Sequence, residues 1–117
     1  MASLERVRFL IVDDNAHMIN IVKTILRGFG AKHIFDARDA AEGLHSLKHD
    51  SIDIVITDYQ MEVLDGIDFI KLLRNSSDSP NHYVPVIMLT AHSERSHVVA
   101  AREAGANEFC CKPVTAL

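Results

Sequence analysis

Between Ile52 and Asp58 the chain reads Ile-Asp-Ile-Val-Ile-Thr-Asp, a short run rich in β-branched residues that ends on a carboxylate. A run of this kind, too short for a buried helix and preceded by Asp50 and Ser51, is the pattern of a parallel strand covered on both faces. Aspartate is an ordinary turn residue, so an acid at one strand end carries little meaning by itself. The other apolar runs end in kindred groups, however. Phe9-Leu10-Ile11-Val12 leads into Asp13 and Asp14, Val86-Ile87-Met88-Leu89 into Thr90, and Phe109-Cys110-Cys111 into Lys112. Four strand ends that supply carboxylates, a hydroxyl and an ammonium point to one shared site.

Segments of helical period separate the strands. Val7 to Val12 is the first strand, and Asp13-Asp14-Asn15 turns into a helix whose Met18, Ile21, Val22, Ile25, Leu26 and Phe29 form an apolar stripe, closed by Gly28 and Gly30. Lys32 to Asp36 is a second strand. Asp39 with Glu42 resembles a capping box opening a helix that turns Ala40, Leu44 and Leu47 inward. After the third strand come a loop, Tyr59 to Asp65, and a helix from Gly66 to Arg74 with Phe69, Ile70 and Leu73 on one side. The polar stretch Asn75 to His82 reads as a surface loop before the fourth strand. From Ser93 to Ala104 the helical pattern is weak, built on Ala and Val, and Gly105 stops it; Asn107 to Cys111 is the fifth strand. Alternation of this kind predicts βαβ units with right-handed crossovers, hence an α/β fold with helices on both sheet faces. Ligands of such sheets bind at the carboxyl ends of the strands, where strand order reverses, and Asp13, Asp14, Asp58, Thr90 and Lys112 all fall there.

Composition bounds the reading. At 117 residues and 48% hydrophobic content, positions 1–117 form one domain with a core of its own. A net charge of -4 without a basic stripe disfavours direct nucleic-acid binding. No apolar run approaches the roughly 20 residues of a membrane span, and the first residues lack a signal-peptide core, so a cytoplasmic protein is expected. Cys110 and Cys111 are neighbours, too close for normal disulfide geometry, and are expected to be reduced and partly buried.

Clustered carboxylates repel unless a cation neutralises them, and Mg2+ suits a set of carboxylates, waters and phosphate oxygens. The seven histidines are read as surface residues without paired spacing, which argues against a zinc site. With metal present, Asp58 is suited to attack a phosphoryl group and form an acyl phosphate, Lys112 to act as a point charge on the phosphoryl oxygens, and Thr90 to donate its hydroxyl.

At these residues the chain resembles the receiver domain of two-component response regulators, in the style of the chemotaxis regulators. The resemblance runs from Arg8 to Pro113, with an Asp-Asp pair after the first strand, Asp after the third, Thr after the fourth and Lys-Pro after the fifth. It implies a flavodoxin-like doubly wound sheet of five parallel strands in the order 2-1-3-4-5, with a cis Lys112-Pro113 peptide. It implies that Asp58 is the phosphoacceptor, that Asp13, Asp14, Asp58 and the Gln60 backbone carbonyl bind Mg2+, and that Thr90 and Lys112 contact the phosphoryl group. Phe109 matches the family's switch aromatic, which works with Thr90, and Gln60 and His92 match positions that tune phosphoryl lifetime. The implied partners are a sensor histidine kinase or phosphotransfer protein and a downstream protein or output domain. The implied chemistry is confined to the domain's own phosphorylation and dephosphorylation, so it is not counted as an enzyme.

Two departures stand out. Glu62 occupies the place where the family usually has proline after Met61, and only Val114-Thr115-Ala116-Leu117 follows Pro113, where a fifth helix belongs. The chain is therefore expected to be trimmed before its last helix and to carry a self-association surface, as in a homodimer, on the sheet face left bare. Three other readings compete. A haloacid dehalogenase-type phosphatase needs two Asp separated by one residue, unlike Asp13-Asp14-Asn15. A flavodoxin-type nucleotide binder needs a hydroxyl- or glycine-rich phosphate loop there. A receiver-like module that binds without phosphorylation would be expected to lack some of the five groups.

Overall fold

The computed structural model describes residues 4–59, 61, 65–75, 82–90 and 95–111. After a 3-10 turn at Leu4–Arg6, strands β1 (Arg8–Val12), β2 (His33–Ala37), β3 (Ile54–Asp58), β4 (Val86–Thr90) and β5 (Glu108–Cys111) alternate with helices α1 (Ala16–Gly28), α2 (Ala40–His49), α3 (Gly66–Asn75) and α4 (Arg95–Ala104). The sheet has five strands in the order β2-β1-β3-β4-β5, and every pairing is parallel. This is the expected order. Residues 112–117, where the fifth helix was expected to be cut short and the Lys112-Pro113 peptide to be cis, lie outside the described residues.

Alternation along the strands sends side chains to two cores. Leu10, Val12, Val55, Val86 and Met88 face α2, α3 and α4, whose Leu47, Phe69, Ile70, Leu73, Ala101 and Ala104 complete one buried cluster. Phe9, Ile11, Ile56 and Leu89 face the opposite way and pack with Ile19 and Val22 of α1. The small Ala101 and Ala104 are the residues that α4 buries in this cluster.

The stripe of α1 is turned from the expected one. Its buried residues are Ile19 and Val22, with Met18 and Leu26 packed beside them, while Phe29 is 58% exposed. Phe29 is the C-cap, its N–H donating to the carbonyls of Ile25 and Leu26, so its ring has left the helical period. Helix starts follow sequence more closely. Asn15 Oδ1 accepts from the Met18 N–H at 3.2 Å and Asp39 Oδ1 from the Glu42 N–H at 2.8 Å. The Glu42 carboxylate returns the bond to the Arg38 N–H at 3.1 Å, one residue before the usual capping-box partner. The ladder begins at Arg8, His33, Ile54 and Glu108, one or two residues inside the expected strand starts. Cys110 is exposed, which corrects the expectation of a partly buried thiol.

Candidate functional site

Val12 of β1 lies opposite Thr57 of β3. The next residue on each strand is an aspartate, so the ladder itself sets Asp13 beside Asp58 at adjoining carboxyl ends. One carboxylate oxygen from each of Asp13, Asp14 and Asp58 lies within 4.8 Å of the others. Asp13 and Asp58 are buried, at 3% and 8% exposure, whereas Asp14 is open to solvent. Three oxygen donors, two fixed in the protein and one facing water, suit a hard divalent cation that keeps some of its own waters. The cluster can hold a metal ion.

Backbone donors hold these carboxylates in place. The Asn15 N–H donates to Asp13 Oδ1 at 2.9 Å, and the Tyr59 N–H to Asp58 Oδ1 at 2.9 Å. Asn15 therefore serves twice, orienting Asp13 and capping α1. Two further residues, which sequence reasoning missed, shape the rim. Arg38, in the turn after β2, donates from Nη2 to the Asp14 carbonyl at 3.1 Å and ties that loop to the neighbouring crossover. Gly66 opens α3 with its N–H donating to the Tyr59 carbonyl at 2.7 Å, and a Cβ there would run into the Asp58 carbonyl oxygen. A glycine at a helix start is an ordinary sequence signal, and only the fold shows what it makes room for.

Away from the site, Arg74 fixes the ends of α3, β4 and α4 to one another. Its guanidinium donates to the carbonyls of His82 at 2.8 Å, Val84 at 2.6 Å and Gly105 at 2.7 Å, and to Asn107 Oδ1 at 3.0 Å. Partial burial lowers its pKa from the usual guanidinium value. Gly105, with φ of 117°, terminates α4 in a conformation glycine favours, and an added Cβ would meet Arg74 Nε at 2.9 Å.

Thr90 ends β4, its Cα paired with Cys111, and Phe109 lies within β5 opposite Met88. The side chains of Thr90 and Phe109, and the whole of Gln60, His92 and Lys112, lie outside the described residues. The structure thus brings together Asp13, Asp14 and Asp58. Among the described histidines, His45 and His49 are four residues apart on α2 with ring centroids 4.2 Å from each other, which corrects the reading that no histidine pair is present.

A site of clustered aspartates at the carboxyl ends of β1 and β3, in a 2-1-3-4-5 parallel sheet, defines a class. The family model of the response regulator receiver domain matches residues 9–116, and this chain belongs to that family. It is a phosphoacceptor domain of two-component signalling, and the reading as a non-phosphorylated module is not favoured. Among individual proteins it is similar to chemotaxis protein CheY-3 of Vibrio cholerae, 38% identical over 112 residues that span 96% of this chain and 85% of the relative. It is also similar to chemotaxis protein CheY of Pseudomonas aeruginosa, 35% identical over 109 residues, 93% of this chain and 86% of the relative. Its structure is similar to that of Vibrio cholerae CheY4, with a TM-score of 0.84 at 26% identity over 94% of this chain and 89% of the other. A receiver domain protein from Clostridium thermocellum gives a TM-score of 0.80 at 31% identity, over 94% of this chain and 85% of the other.

Proposed function

We propose that Asp58 is the residue that receives the phosphoryl group. The observation that carries this reading is the Asp13, Asp14 and Asp58 cluster, with Asp58 on the middle of the three strands β1-β3-β4 and one of its oxygens held by the Tyr59 N–H. A carboxylate oxygen of Asp58 attacks phosphorus, the bond from phosphorus to the donor's oxygen or nitrogen breaks, and its electron pair leaves with the donor, giving an aspartyl phosphate. Asp13, Asp14, Asp58 and the Gln60 carbonyl would hold Mg2+, which would supply charge neutralisation for the phosphoryl oxygens. Lys112 and Thr90 contact those oxygens, Thr90 and Phe109 form the switch, and Gln60 and His92 set phosphoryl lifetime.

The donor in this reading is a sensor histidine kinase, a phosphotransfer protein or a small acyl phosphate, and the reader a downstream protein or output domain. The domain's own chemistry is limited to gaining and losing its phosphoryl group, in the cytoplasm. Self-association through the α1 face, where Ile54 and Ile87 are half-buried, belongs to the same proposal, and light scattering across a dilution series tests it. The deciding experiment is intact mass after incubation with acetyl phosphate, with and without Mg2+. One phosphoryl group is expected with Mg2+ and none in Asp58→Asn; an unchanged modification in that variant moves the nucleophile elsewhere.

A further inference from the structure

We propose that the carboxyl-terminal half of α2 carries a second cation site, an imidazole pair of His45 and His49 that takes a divalent transition ion such as Ni2+, Zn2+ or Cu2+. Residues four apart on a helix lie one above the other on the same face, and two histidines so placed can ligate one ion. The two rings have centroids 4.2 Å apart, and their planes are inclined by 46°. Ring edges lie closer than ring centroids. Two nitrogens on a tetrahedral ion at about 2.0–2.1 Å stand about 3.3 Å apart, a separation within reach of the pair by small ring rotations. The inclination matters because a metal lies in the plane of each imidazole. Parallel stacked rings aim their nitrogens side by side, whereas inclined rings let them converge. Both histidines are exposed, so an ion reaches them without opening the fold.

The electrostatic setting favours a cation. His49 sits in the last turn of α2 and His45 one turn before it, toward the negative end of the helix dipole. Asp50 caps the helix directly after His49. Lys48 shares this turn and opposes a cation, but its exposed ammonium is on a flexible stem that can swing into water. Beside His49, an open cleft of about 420 Å3 is lined by Lys48, His49, Asp50, Ser51 and Asp53, which leaves space for waters to complete the coordination. The cleft wall is held in shape by Arg8, whose Nε donates to the Ser51 carbonyl at 2.5 Å and whose N–H donates to Asp53 Oδ2 at 2.8 Å.

This site and the acidic cluster sit at opposite ends of the sheet. The end of α2 leads into the start of β3, whereas Asp13, Asp14 and Asp58 lie at carboxyl ends of strands. The two also differ in chemistry. Oxygen ligands suit Mg2+, and imidazole nitrogen suits the later first-row ions, so excess Mg2+ fills one and leaves the other open.

Calorimetric titration of Ni2+ into the whole chain, in excess Mg2+, tests the proposal. One Ni2+ per chain is expected, with affinity on the order of tenfold or more weaker in His45→Gln and in His49→Gln, binding lost in the double variant, and binding unchanged in Asp58→Asn. Amide signals that Ni2+ broadens should centre on His45 to Asp50. Because both side chains are exposed, the double variant should keep the metal-free melting temperature of the parent. Undiminished binding in the double variant, weakening in one single variant alone, or broadening centred on Asp58 or Cys110 overturns the site.

Discussion

Replacing Asp58 by asparagine should stabilise the metal-free protein while abolishing its response to Mg2+. The carboxylate oxygens of Asp13, Asp14 and Asp58 lie within 4.8 Å of one another. Two unit charges at that separation repel by about 3.5 kcal/mol at an effective dielectric of 20 and by about 0.9 kcal/mol in bulk water. Asp58 and Asp13 are buried and Asp14 is exposed, so the two repulsions that involve Asp58 fall between these limits. Asparagine keeps an oxygen for the Tyr59 N–H but weakens a charge-assisted bond to a neutral one, a loss of about 1 kcal/mol. Two such repulsions less that loss leave a stabilisation of about 1 kcal/mol or more without metal, seen as a melting temperature several degrees higher. With Mg2+ at about 100 times its dissociation constant, the parent gains about 2.7 kcal/mol, which narrows or closes the gap to the variant. Thermal melts of both proteins, in chelator and across an Mg2+ series, should therefore converge. A variant less stable than the parent in chelator, or one whose melting temperature rises with Mg2+ as much as the parent's, refutes the reasoning.

Asp14→Ala should also weaken Mg2+ binding, by fluorescence or calorimetric titration, while leaving metal-free stability equal or slightly raised, since Asp14 is exposed and removes only repulsion. Arg74→Ala should cost about 2–4 kcal/mol in denaturant unfolding, because it deprives the carbonyls of His82, Val84 and Gly105 of a charged donor; a loss below about 0.5 kcal/mol would mean water replaces the guanidinium freely.

The carboxylate cluster was legible because it follows from topology. Once alternating strands and helices imply a parallel sheet, the residues after Val12 and Thr57 must meet, whatever their distance in sequence. Helix starts at Asn15 and Asp39 were legible because a cap is a local bond between a side chain and an N–H three residues on. The face of α1 was less so. Met18, Ile19, Ile21, Val22, Ile25 and Leu26 span more than half the helix circumference, and apolarity alone does not say which stripe meets the sheet. Arg74 gave no signal at all, since its acceptors are backbone carbonyls brought together by three different elements. The His45 and His49 spacing was present in the sequence, but its value rests on ring geometry and on the helix end it occupies.

Gly66 offers a test of how tightly the acidic site depends on the backbone around it. Its Cα lies so close to the Asp58 carbonyl that an added Cβ would overlap that oxygen and meet Met88 Cε at 3.1 Å. Asp58 pairs with Leu89 in the ladder, so the strand resists displacement, and the start of α3 should yield instead. That movement stretches the bond from the Gly66 N–H to the Tyr59 carbonyl and, through Tyr59, disturbs the N–H that orients Asp58. Gly43 is the natural control. A Cβ there meets side-chain atoms of Phe69 and Val12 at 3.1 Å, on the buried side of α2, with no carboxylate among its nearest neighbours. Gly43→Ala should therefore behave as ordinary overpacking, costing about 1–3 kcal/mol less the helix preference for alanine of about 1 kcal/mol. Gly66→Ala should lose stability to a similar or greater extent, and only it should weaken Mg2+ binding at matched temperature below the transition. Equal Mg2+ affinity in both variants would show that Asp58 is held by the strand alone and that the bond from the Gly66 N–H to the Tyr59 carbonyl plays no part in orienting it.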